Sequence, residues 1–128
     1  MRWLVDGMNV IGSRPDGWWR DRAGAARRLT ARLQELAADS GDEIAVAFEG
    51  GKVPDLPPGR HGGVEVLYAR RNGPNAADDR IVEEVGADAD PGTLTVVTSD
   101  RDLVRRVQEL GASVVGPGEL LRRMRPAK

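Results

Sequence analysis

Residues 3–12 read W-L-V-D-G-M-N-V-I-G, and the way this run ends bears on the whole fold. Trp3, Leu4 and Val5 are apolar without alternation, the pattern of a strand covered on both faces. The run stops on Asp6, with Gly7 and Asn9 close behind. A carboxylate at the end of a buried strand is costly unless it caps something, pairs with a cation or holds a metal. No helix start is evident at that point. One reading is an Asp-Gly turn in which the side chain bonds its own backbone. The other is a ligand.

Outward from this strand the chain alternates. Residues 12–17 read as a loop, and 21–39 as a helix with Leu29, Leu33 and Leu36 on one face. Ser40-Gly41 stops that helix. Residues 43–48 form a second strand, which also ends on an acid, Glu49, before Gly50-Gly51. The Pro/Gly-rich stretch 52–63 has no period and reads as an exposed loop. Further strands are expected at 64–69, 93–98 and 112–115. One helix is expected from Asn75, as its cap, through Ile81, Val82 and Val85. Another runs from Ser99-Asp100 through Leu103, Val107 and Leu110, and a last one covers 118–125. This order predicts an α/β fold with a mostly parallel sheet covered on both faces. It is expected to be a single domain over 1–125, with a short basic tail at 126–128.

At 128 residues the chain is long enough for one core without staples. It has no cysteine, which excludes disulfides, thiolate zinc sites and thiol catalysis and suits a reducing cytoplasm. No stretch is long and apolar enough to span a membrane, and the first residues lack the order of a secretion signal. With 19 basic and 20 acidic residues, any basic face must be balanced by an acidic one. The single histidine, His61, argues against Ser-His-Asp and paired-histidine chemistry. The run E-G-G-K-V at 49–53 lacks the spacing and the Ser/Thr of a phosphate loop, and no strand is followed by G-x-G-x-x-G.

The placement of the acids is more informative. In open parallel sheets, ligands bind beyond the carboxyl ends of the strands. Asp6, Glu49 and Asp100 each follow a strand, and Asp102 lies in the first turn of the next helix. Asp78 and Asp79 open the helix after the third strand. Asp78 shares a face with Ile81 and Val82, which turns it inward or toward the cleft rim, while Asp79 is offset toward solvent. Parallel strands would gather these carboxylates at one edge, where they resist ionising together. A divalent cation resolves that. Mg²⁺ or Mn²⁺ takes oxygen ligands and keeps waters, and zinc is a poor match to this residue set. Such an ion clamps a phosphodiester and activates water, which is nuclease chemistry. The alternative for Asp100 and Asp102 is an acid beside a helix dipole, and for Glu49 a solvated strand end.

Substrate contacts are expected in loops at the same edge. Trp18 and Trp19 stand beside Arg20 and Arg22. Adjacent indoles on a regular helix cannot both face one core. One of them is then exposed or lies across a groove, where stacking on a base of a single strand is worth ~1–3 kcal/mol. The alternative is a Trp that staples the loop to the next helix. Arg14, Arg70 and Arg71 are candidates for phosphate contacts, against the ordinary reading of solvated loop cations.

Four pieces, LVDGMNVIG, AVAFEGG, NGPNAADDRIVE and VVTSDRDL, stand in the order and context of the NYN domain family. The chain resembles the YacP-like branch of that family, within the PIN-like nucleases, from Arg2 to Leu121. The resemblance implies a three-layer, PIN-like α/β/α sandwich and a Mg²⁺- or Mn²⁺-dependent ribonuclease. Its partner would be RNA, free or ribosome-associated. By the same resemblance Asp6, Asp78 and Asp100 are metal ligands and Asp102 a further acid. Asn9 would orient a ligand or a loop, and Ser99 would bond a carboxylate or phosphate or cap its helix. The chain departs from the family at Glu49, where an Asp is expected. That departure supports a second reading, a non-catalytic RNA- or partner-binding module on the same fold. A metal-dependent phosphatase ranks last, because the place of its second acid is taken by Met8.

Overall fold

The apolar run becomes β1 (Arg2–Asp6), a central strand of the computed structural model, which describes residues 1–124. β1 pairs in parallel with β2 (Glu43–Phe48) on one side and β5 (Leu94–Val97) on the other. Beyond β2 lies β4 (Val64–Tyr68) and beyond β5 lies β6 (Ser113–Val115), both parallel to their neighbours. At one edge β3 (Gly59–His61) pairs antiparallel with β4, giving the order β3-β4-β2-β1-β5-β6.

Alternation along the strands sorts side chains to two faces. Trp3, Val5, Val46 and Phe48 face α1 (Gly7–Gly12), α2 (Arg22–Ser40) and α5 (Pro117–Arg123), meeting Val10, Leu29, Leu33 and Leu120. Leu4, Ala47, Leu67 and Val96 face α3 (Ala76–Ala87) and α4 (Arg101–Glu109), meeting Ile81, Val85, Leu103 and Val107. The result is the three-layer α/β/α sandwich expected from the order of elements.

Several local expectations are corrected. β3 lies inside the stretch read as an exposed loop, because three polar or glycine residues carry no period and only the edge of β4 makes them a strand. A helix does begin beside Asp6. α1 has six residues with glycine at each end, too short for a helical period to show. Gly7 makes this turn possible, since a Cβ there would lie 2.6 Å from the Phe48 ring and 2.9 Å from the Ala47 carbonyl oxygen. Asn75 precedes α3 in a left-handed conformation, φ 61°, and its side chain caps nothing. Leu110 follows the end of α4 and is 39 % exposed instead of joining its stripe. α5 starts at Pro117, which suits a first helical position, and ends at Arg123. Arg125 and the tail at 126–128 lie outside the described residues.

From β1 the chain steps outward through β2 and β4, then returns to the other side of β1 for β5 and β6. Strand order therefore reverses between β1 and β5, and a crevice opens beyond their carboxyl ends.

Candidate active site

Asp6 ends β1 on the face of Leu4, the side covered by α3 and α4. It is 5 % exposed. It occupies the residue before α1 but makes no capping bond with its side chain. Its partner is Thr98, just past β5, whose hydroxyl donates to Asp6 Oδ2 at 2.9 Å. Burial pushes the Asp6 pKa up to about 6, aided by the charges of Asp78 and Glu49 and opposed by the Thr98 hydroxyl and the Asn9 backbone N–H.

Asp78 stands in the first turn of α3, half-buried. Burial, then the charges of Asp100, Glu49 and Asp79, push its pKa up to about 6 as well, with Arg106 acting the other way. Asp100 is the N-cap of α4, and its Oδ1 accepts the Leu103 amide at 3.0 Å. The cap reading of Asp100 therefore holds, and the same residue also faces the crevice. Asn9 reaches from α1 to the loop after β5, where its Oδ1 accepts the Ser99 amide at 2.9 Å and the Ser99 hydroxyl at 3.0 Å. Asn9 thus orients a loop, and Ser99 anchors that loop instead of capping α4. Asp6, Asn9, Glu49, Asp78 and Asp100 line one open depression, with Met8, Trp18, Arg22 and Asn75 at its sides. Asn75 is the one non-glycine residue with positive φ among the described residues.

Other predicted residues are not brought to the depression. Asp102 is on the outer side of α4, 61 % exposed, and pairs with Arg105 at 2.7 Å. Asp100 precedes the helix in an extended conformation, whereas Asp102 lies inside its first turn and reaches Arg105. Arg14 lines a separate hollow with Val10, Arg28 and Arg32. Arg70 is held by Glu83 at 2.7 Å, and Arg71 by Asp79 at 2.5 Å. The two indoles split as expected. Trp18 is half-buried against the core and lines the depression, while Trp19 is 54 % exposed. They meet edge-on at 6.0 Å, with Arg22 over Trp18 at 5.2 Å and Arg20 over Trp19 at 5.9 Å. Thr98 and Arg106 escaped the sequence reading. Alternation from Val96 could have placed Thr98 on the face of Asp6, but nothing in the sequence brings Arg106 to Asp78.

The donors in the depression are carboxylate and amide oxygens, with neither sulfur nor imidazole. Among the described residues no three His, Asp or Glu side chains stand in a ready ligating cage. Two carboxyls raised by burial and mutual repulsion fit a hard cation that keeps most of its waters and takes one or two carboxylates directly. Among the described residues no helix is long and apolar enough to cross a membrane.

No curated protein sequence matches the chain. Solved structures do. The crystal structure of Rae1 (YacP) from Bacillus subtilis is similar, with a TM-score of 0.75 at 26% identity, over 95% of this chain and 72% of that one. A single-substitution mutant of the same protein gives 0.73 at 27% identity over the same shares. The family model described as the YacP-like NYN domain matches residues 3–128. A match of that length, on a sheet whose acids collect at the switch point, places the chain in the YacP-like NYN domain family, a family of the PIN-like nuclease kind.

Proposed function

We propose that this protein is a metal-dependent ribonuclease that hydrolyses phosphodiester bonds of single-stranded RNA, with Mg²⁺ or Mn²⁺ held through Asp6, Asp78 and Asp100. Charge carries the reading: carboxylates from three distant segments face one depression, and two of them are pushed up to about 6. Family membership supports the nuclease kind and suggests RNA as the substrate. The bound ion would supply a Lewis acid at the phosphodiester and a water of lowered pKa.

The chain's own residues prepare that site. Thr98 fixes the orientation of Asp6. Asn9 holds Ser99, and through it the loop that presents Asp100. Asp100 gives Oδ1 to its helix and offers Oδ2 to the ion. Glu49 adds negative potential at the rim, and Asp102 takes no part. Trp18 and Arg22 flank the path of the strand, with Trp19 and Arg20 farther out. The enzyme would act in the cytoplasm, on RNA free or ribosome-associated. The binding-module reading is favoured by Glu49 and by the absence of a ready three-ligand cage among the described residues.

The test is cleavage of labelled single-stranded RNA with Mg²⁺ or Mn²⁺, beside EDTA and Asp6→Asn. Cutting that needs both metal and Asp6 is the expected result. Cutting that survives both controls rejects this site. No cutting, together with no metal-dependent rise in melting temperature, leaves the binding module.

A further inference from the structure

A second hollow lies beside the acidic depression and shares Met8, Arg22 and Glu49 with it as a common wall. The rest of its lining is mainly apolar: Ala23 and Ala26 from α2, Phe48 and Tyr68 from strand ends, Val53 and Pro54 from the loop after β2. Its volume is about 160 Å³, below the ~300–1,000 Å³ of a drug-sized site, and so suited to one ring system.

The loop wall is held in place without any ligand. The Tyr68 hydroxyl donates to the Leu56 carbonyl at 2.7 Å and accepts the Val53 amide at 3.2 Å. Gly51 lines the same hollow. Its φ is not in the left-handed region, and a Cβ there would meet no protein atom within 4 Å. Folding therefore does not require glycine at 51, whereas close approach of a ligand to bare backbone does. Two cations stand at the rim, Arg22 and the exposed Lys52. Arg22 rests on the Trp18 ring and forms no ion pair among the described residues.

A flat apolar-faced ring, a backbone edge for its polar atoms, and a cation between this hollow and an acidic one describe a nucleotide. A protein side chain would fill the floor but bring no phosphate to Arg22. We infer that this hollow binds the nucleobase of a nucleotide flanking the cleaved bond, with Arg22 on the phosphate between the two. The base site follows from the hollow itself, and its place next to the cleaved bond rests on the ribonuclease reading.

The experiment is amide NMR of ¹⁵N-labelled protein titrated with AMP, GMP, CMP and UMP in turn, in Mg²⁺. At least one nucleotide is expected to shift residues 50–53 and Ala23. Ala23→Phe, which fills the hollow, removes those shifts, while Ala23→Ser keeps them. Gly51→Val keeps the melting temperature and weakens binding roughly tenfold, the size of one base stack. Should Ala23→Phe not fold, Gly51→Val carries the test. Shifts elsewhere only, shifts unchanged in both filled variants, or no shifts overturn the inference. Parallel RNA cleavage separates the two readings. Nucleotide shifts at 50–53 with neither cleavage nor a metal-dependent rise in melting temperature keep the hollow and reject the nuclease. Cleavage with KM unchanged in Ala23→Phe and Gly51→Val keeps the nuclease and overturns the hollow.

Discussion

The two ends of the sheet treat aspartate in opposite ways. At the amino end, Asp42 receives the Trp3 indole N–H and the Met1 ammonium, each at 2.9 Å. Burial works to raise its pKa, but these bonds together hold it below the usual range. Asp88 is held low by its hydrogen bond to the Arg2 guanidinium. At the carboxyl end, Asp6 and Asp78 are pushed up to about 6, by burial first and neighbouring carboxylates after it. The residue type is the same and the sheet is the same. Burial and partners both differ: donors and cations outweigh burial at the amino end, whereas at the carboxyl end burial and other acids outweigh the Thr98 hydroxyl and Arg106. A sheet that needed only to be stable would match its charges at both ends. The carboxyl edge holds unmatched negative charge, and a cation is the partner that would complete it.

Neighbours on one helix give the largest test of this contrast. Asp78 faces the depression, whereas Asp79 is held low by its hydrogen bonds to Arg71 and Arg106. Asp78→Asn is expected to lower kcat/KM for RNA by more than about 100-fold, beyond the ~10–100-fold typical of losing an outer-shell partner. Asp79→Asn should cost less than about tenfold. Equal losses would break the contrast.

Stability supplies the next test, and it is one of sign. Without metal, Asp6→Asn removes repulsion and should raise the melting temperature by a few degrees. Asp88→Asn leaves Arg2 short of one partner and should lower it. Scanning calorimetry of both variants in EDTA decides it, and two shifts of the same sign would count against the comparison.

The pH dependence follows from the same shifts. With folded values of about 6 against an ordinary 3.8, Asp6 and Asp78 hold more protons folded than unfolded between those limits. Their contribution to stability therefore falls as pH rises through that window. Asp42 and Asp88 act oppositely: their contribution is present above 3.8 and lost as pH falls through their lowered folded values. Melting curves in EDTA should show the carboxyl-edge contribution weakening from pH 4.5 to 7.5 more steeply in the wild type than in Asp6→Asn. Saturating Mg²⁺ at pH 7.5 should return part of the lost stability to the wild type.

The smallest effect is expected from Thr98→Val. It removes the hydroxyl that donates to Asp6 and accepts the Asp100 amide, a loss of ~1 kcal/mol or somewhat more for each bond. Mg²⁺ affinity, read by the metal-dependent melting shift, should fall severalfold while the fold stays intact. An unchanged affinity would mean that Thr98 only fills space.

Sequence by itself determined the long elements and the main acids. Leu29, Leu33 and Leu36 repeat with the period of a helix, and β1, β2, β4 and β5 are apolar runs, so local pattern was enough. Asp6 and Asp100 were legible because each follows such a run, and Asp78 because its helix has a clear buried stripe. Tertiary structure alone decided the rest. β3 exists only because β4 offers an edge. α1 is too short to show a period, and Gly7 is explained by Phe48 and Ala47, which lie some forty residues away. Asp102 has the same spacing logic as Asp100, yet the helix turns it to Arg105. Thr98, Asn9 and Ser99 take their roles from bonds that span 90 residues or more of chain. Periodicity reports which face of an element is buried. Which donors or acids meet a given carboxylate depends on the order of the strands, and that order appears only when the sheet is assembled.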